Sequence, residues 1–260
     1  MSKSLLAIFI TLLVTTGVYA NEYSFRKYHH VKEFYKETTQ KAIDVCLKNN
    51  LPPAAVLAIS GLESGYGRGY VAQITGNILS LGAFKGDKEL PRLYLPYSKS
   101  KQKILFDPKE IKSVTKKDDL SWKKRAKSYK RDYRPNPYAG TTKNLDLLIC
   151  NKNLKSNAHI ACFKDFATRW IDKESKIKSF KDTRAWLDNL VKRKGKSILF
   201  NINTNMEFIE RIGGHSNSFN YRKTWPKKAK VVMKKVGLVK LVDDIYNKKM
   251  NFKEAWADNK

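Results

Sequence analysis

Between Asn21 and Asn50 the apolar residues Val31, Phe34, Tyr35, Ala42, Ile43, Val45 and Cys46 recur at helical spacing, and a polar Lys48-Asn49-Asn50 stop follows, which predicts one amphipathic helix. The next segment differs in kind. Pro52-Pro53 is pre-organised for a first helical turn, and Ala54-Ala55-Val56-Leu57-Ala58-Ile59 has no polar face, so this helix is expected to be wrapped on all sides by protein. Gly65 and Gly67 supply its stop, because glycine accepts the left-handed conformation that closes many helices. Asn77 to Gly86 is a short apolar stretch punctuated by glycine and suits a turn lining a cleft. From about 86 to 148 helical periodicity weakens while proline, tyrosine and lysine become frequent, which predicts a β-rich or irregular lobe. Helical spacing returns at Phe163 to Ile171, Thr183 to Val191, Met206 to Ile212 before Gly213-Gly214, and Pro226 to Gly237, with Leu238 to Trp256 read as a terminal helix. The expected fold class is α+β, mainly α, with the basic lobe inserted after the buried helix.

Glu63 is out of character with its surroundings. It closes the apolar helix in Leu62-Glu63-Ser64-Gly65-Tyr66-Gly67, where burial and the partial negative charge of a helix C-terminus both disfavour its ionised form. A carboxylic acid held protonated near neutral pH is what glycosidic-bond cleavage requires of the group that protonates the leaving oxygen. The local string also admits a Glu63 that points into solvent and has no chemical role.

Composition narrows the setting. Met1-Ser2-Lys3, the apolar run Leu5 to Val14 and Val18-Tyr19-Ala20 have the pattern of a signal peptide cut after Ala20, and that run is about half of the roughly 20 residues that span a bilayer. The expectation is a secreted or periplasmic protein whose residues 21–260 form a single domain. A net charge of +28 calls for a polyanionic partner or surface. The lobe is the most basic part: Ser98 to Arg134 carries fourteen Lys/Arg against five Asp/Glu, with Tyr97, Phe106, Trp122, Tyr129 and Tyr133 interleaved. That mixture suits an extended anionic chain with faces to stack upon, or a solvated lobe with aromatics packed beneath it. Of the three cysteines, Cys150 and Cys162 flank a short polar loop, Asn151 to His159, and are the expected bridge, leaving Cys46 unpaired. No spacing resembles a metal site, His29-His30 reads as a solvated pair, and no cofactor is implied.

Ala58-Ile59-Ser60-Gly61-Leu62-Glu63-Ser64-Gly65-Tyr66-Gly67 is similar to the A-x-x-x-x-E-S-G-[WY]-G signature of the bacterial glucosaminidase-domain family of peptidoglycan hydrolases, lysozyme-superfamily enzymes found among autolysins and flagellar rod-cap hydrolases. Three further segments resemble the family in its order. Gly76 to Gly82 looks like a variant of N-N-L-F-G, Phe163-Lys164-Asp165-Phe166 is similar to F-R-x-Y, and Asn220 to Ala229 falls where members have Y-A-T-D-P-x-Y-A. The resemblance implies a lysozyme-like helical core and an endo-β-N-acetylglucosaminidase acting between N-acetylglucosamine and N-acetylmuramic acid. It implies Glu63 as general acid, Tyr221 as a cleft tyrosine supporting the sugar or the developing charge, and Tyr66, Asn77 and Trp225 on the substrate side.

A second carboxylate, in the family, comes from the region of the lobe. The candidates are Asp87, Glu89, Asp107, Glu110, Asp118 and Asp119, with Asp107 preferred because it follows the apolar run Ile104-Leu105-Phe106. Peptidoglycan strands are the expected partner, anionic wall polymers fit the same charge, and nucleic acid ranks below both. The competing readings are a lytic transglycosylase or muramidase on the same fold, or a basic binding protein without activity.

Overall fold

The computed structural model describes residues 23–84, 86–87, 90, 94–105, 110–111, 113–114, 117–124, 130–141 and 143–258. The leader, Glu89 and Asp107 lie outside the described residues. The fold is α+β and mainly α. Helix α1 (His29–Lys48) leads into α2 (Pro53–Ser64), and a short α3 (Tyr70–Thr75) follows. The lobe then contributes strands β1 (Tyr94–Ser98), β2 (Lys103–Ile104) and β3 (Leu120–Lys124), after which the chain continues as α4 (Leu147–Cys150) and α5 (Lys152–Asp165). Helices α6 (Lys178–Lys194), α7 (Ile202–Ile212), α8 (Trp225–Val236), α9 (Leu238–Tyr246) and α10 (Phe252–Ala257) complete it.

Helix α2 is the axle of the molecule. Residues from Pro53 to Gly61 are all buried, because α1, α7, α8 and α9 pack around it. A helix start enclosed in protein must find acceptors for its free N–H groups. Here the Ala55 N–H donates to Asn205 Oδ1 at 2.9 Å, and the same Asn205 amide donates to the Leu199 and Asn201 carbonyls. The apolar core is continuous from Val31 on α1 to Trp256 on α10.

The lobe is a three-stranded antiparallel sheet in the order β2-β1-β3, with Tyr97 opposite Ile104 on one side and Ser121 on the other. Asp119 holds its tip, accepting from Ser98 Oγ at 2.8 Å and the Ser100 N–H at 2.6 Å. The returning strand of chain lies along residues 75–82: Gly82 bridges Lys130, the Arg131 N–H donates to Leu81 O, and the Tyr133 N–H donates to Thr75 O.

Three expectations are corrected. Asn151 to His159 is not a loop: Asn151 caps α5 by accepting the Leu154 N–H, and the helix turns Cys162 into the core while Cys150 stays exposed at the end of α4. No bridge joins them, and all three cysteines are free thiols. The terminal segment is two helices rather than one, since Asn251 starts α10 with a reciprocal capping box to Glu254. Phe166–Trp170, read as helical, is a π-helical turn that continues α5.

Candidate active site

The signature residues around Glu63 are accounted for one by one by the turn they build. Gly65 has φ 56° and Gly67 φ 73°, and a Cβ on Gly67 would meet the Phe34 ring at 2.9 Å. Ser64 Oγ donates to Ser60 O at 2.6 Å and accepts the Gly67 N–H at 2.8 Å, so the hydroxyl staples the helix end to the turn. Tyr66 itself is left-handed, at φ 57°, and its N–H closes back on Gly61 O. Its ring packs edge-on against His30, Phe34 and Tyr35, and burial pushes its hydroxyl pKa up to about 12.

Glu63 projects from this fixed end. Burial holds its carboxyl above the ordinary range, while the Trp225 indole and the nearby Lys130 and Arg222 cations oppose that rise without cancelling it. Trp225 Nε1 donates to Glu63 Oε1 at 2.7 Å. The other oxygen, Oε2, has no hydrogen-bond partner among the described residues. One oxygen is therefore gripped and the other is left without a described partner.

Trp225, expected on the substrate side, is packed against the protein. It is 3% exposed, its ring lies on Gly213, where a Cβ would come within 2.2 Å, and Phe219 packs beside it at 5.4 Å. The segment expected to supply a cleft tyrosine thus reaches Glu63 through its tryptophan. Tyr221 is 71% exposed on the loop before α8, and Arg222 on the same loop is the residue close enough to act on Glu63 by charge. Lys130 and Arg222 were missed as site residues, since nothing local marks one lysine among many. Gly213-Gly214 opposite a tryptophan was the only trace of the indole's close seat.

Asn77 shapes the adjoining turn. Its side chain accepts the Leu81 N–H at 2.8 Å and donates to the Leu81 and Arg131 carbonyls at 2.9 and 3.1 Å, and Cys162 Sγ contacts the same amide at 3.7 Å. By pinning both the turn and the returning chain, it sets where Lys130 stands, and Lys130 Nζ donates to Ser80 O.

The candidate second acids that can be placed are engaged elsewhere. Asp87 would be raised by burial, but the Phe84 N–H and the Arg131 and Arg169 guanidinium groups outweigh that and hold it low. Arg131 and Arg169 also bind Asp165, which accepts from the Tyr133 hydroxyl at 2.8 Å, so two aspartates and two arginines form one closed network. Glu110 pairs with Lys101 and Lys103, and Asp119 is held by the lobe's own Ser98 and Ser100. Asp118 is exposed on the turn before β3. Among the described residues, no group of three or more His, Cys, Asp or Glu side chains could hold a metal ion, and no helix is long and apolar enough to cross a membrane.

The chain is similar in structure to the catalytic domain of the autolysin Auto from Listeria monocytogenes, at 16% identity and a TM-score of 0.45, over 82% of this chain and 87% of that one. No family model matches it, and no curated protein does.

Proposed function

We propose that this protein is a peptidoglycan hydrolase, an endo-β-N-acetylglucosaminidase that cleaves the β-1,4 bond between N-acetylglucosamine and N-acetylmuramic acid, secreted or periplasmic after loss of its leader. The observation that carries the reading is Glu63: a carboxyl raised by burial at the end of a buried helix, with Oε1 held by Trp225 and Oε2 unoccupied by any described residue. In this reading Glu63 protonates the glycosidic oxygen as the bond to the sugar breaks. Tyr221, exposed on the neighbouring loop, supports the sugar, and Tyr66 and the Asn77 turn bound the substrate path. Asp107 is the proposed second carboxylate.

The test is mass spectrometry of borohydride-reduced products after purified peptidoglycan is incubated with wild type and Glu63→Gln. Reduced N-acetylglucosamine ends made only by wild type are expected. Reduced muramic ends would instead identify a muramidase, anhydro-muramic ends a lytic transglycosylase, and equal turnover by the variant would remove Glu63 as the acid. No fragments from either protein, with both pelleting with the wall, would identify a binding protein.

A further inference from the structure

Beside Tyr66, three residues after Glu63, a groove opens along α1. Two adjoining hollows of about 370 and 250 Å³ share Glu37, Lys155 and His159 as lining residues. The α1 residues that floor them are His29, His30, Glu33, Phe34, Glu37 and Lys41, one stripe at helical spacing. The twelve helical steps from His29 to Lys41, at about 1.5 Å each, give a groove roughly 18 Å long, the length of about five residues of extended chain.

Its polar groups follow an order. At one end stands the exposed Arg68, and at the other Lys41 and the exposed Lys152. Between them Glu37 is paired with Lys155 at 2.6 Å, whereas Glu33 has no ion pair with any described residue. His159 lies at the junction of the two hollows. It is 3% exposed and makes no hydrogen bond to any described residue. Burial, with Lys155 and Lys41 beside it, lowers its pKa to about 3, so the ring is neutral and offers one donor and one acceptor. A peptide amide laid in the groove could use both, since the ring lines both hollows.

We propose that this groove binds a short extended peptide bearing a carboxylate near each end and an ammonium group between them, the first carboxylate at Arg68, the ammonium at Glu33, an amide at His159 and the second carboxylate at Lys41 and Lys152. The inference rests on the peptidoglycan reading, because the stem peptide that decorates that polymer has this order of charges. It assigns the groove to the peptide while the glycan lies at Glu63.

The probe is the free pentapeptide L-Ala-γ-D-Glu-L-Lys-D-Ala-D-Ala, titrated calorimetrically into the Glu63→Gln protein. Saturable binding is expected, weakened at least tenfold by Arg68→Glu combined with Lys152→Glu, two exposed positions. Glu33→Gln should weaken this peptide but not its Nε-acetyl-lysine form. Absence of saturable binding, or affinities indifferent to these substitutions, overturns the proposal. Glycan strands stripped of peptide separate the two readings: their cleavage by wild type and not by Glu63→Gln upholds the glycosidase whatever the groove does.

Discussion

A carboxyl raised by burial binds its proton more tightly in the folded chain than in the unfolded one, so the stability linked to it is fully present below the unfolded pKa and is lost as pH rises through the folded one. Glu63 is such a group, raised from 4.5. Glu63→Gln should therefore melt higher than wild type at pH 8, with the gap closing below about pH 4.5; melting curves across that range check it, and a constant gap would argue against a buried acid. The indole bond acts in the other direction, favouring the ionised carboxylate. Trp225→Phe keeps the ring on Gly213 but removes the donor, so the alkaline limb of activity should move to higher pH while kcat falls roughly tenfold through looser positioning. A pH–rate profile reads both, and an unmoved limb would make Trp225 a packing residue only. The sequence showed why Gly65 and Gly67 accompany Glu63, since a helix end demands them. It did not show the indole, because the partner lies 162 residues away and only packing brings it in.

Among elements, periodicity was enough for α1, α2, α7 and α8, whose buried stripes or wholly apolar character match what the core accepts. It misread the run from Leu238 to Trp256, where Asn251 and its capping box break the helix, and the stretch after Cys150, where a lysine- and asparagine-rich segment is helical because Asn151 caps it and Ala158, Cys162 and Phe163 are buried. The Asp87-Arg131-Asp165-Arg169 network was invisible, as its members come from three separate segments. It clamps the returning lobe to the end of α5 and to the turn after Asn77. Asp165, 7% exposed, is its most buried acid, and Asp165→Asn leaves two guanidinium groups short of a charge. A loss of about 2–4 kcal/mol in urea unfolding is expected, discounted for the partial exposure of both arginines.

For the whole molecule, a net charge of +28 is a property of the surface rather than the fold. Under the proposed function, retention on the wall should weaken as salt rises, because charges further apart than about 8 Å are screened at 0.15 M. Cleavage of short peptide-free glycan oligomers should change little over the same range, since Glu63 is partly buried. Co-sedimentation and oligomer turnover measured between 50 mM and 500 mM NaCl compare the two, and parallel loss of both would place the charge in the reaction itself.

Arg26 joins the start of the described residues to their final helices, its guanidinium donating to the carbonyls of Val236, Ala255, Trp256 and Asp258 between the rings of Tyr23 and Trp256. These contacts span more than 200 residues of sequence, so they close only after α10 has been made. The seat of the Glu63 carboxylate also waits for a distant partner, Trp225 at the start of α8. A nascent fragment that stops short of Trp225 thus carries the signature around Glu63 without the indole that holds its carboxyl.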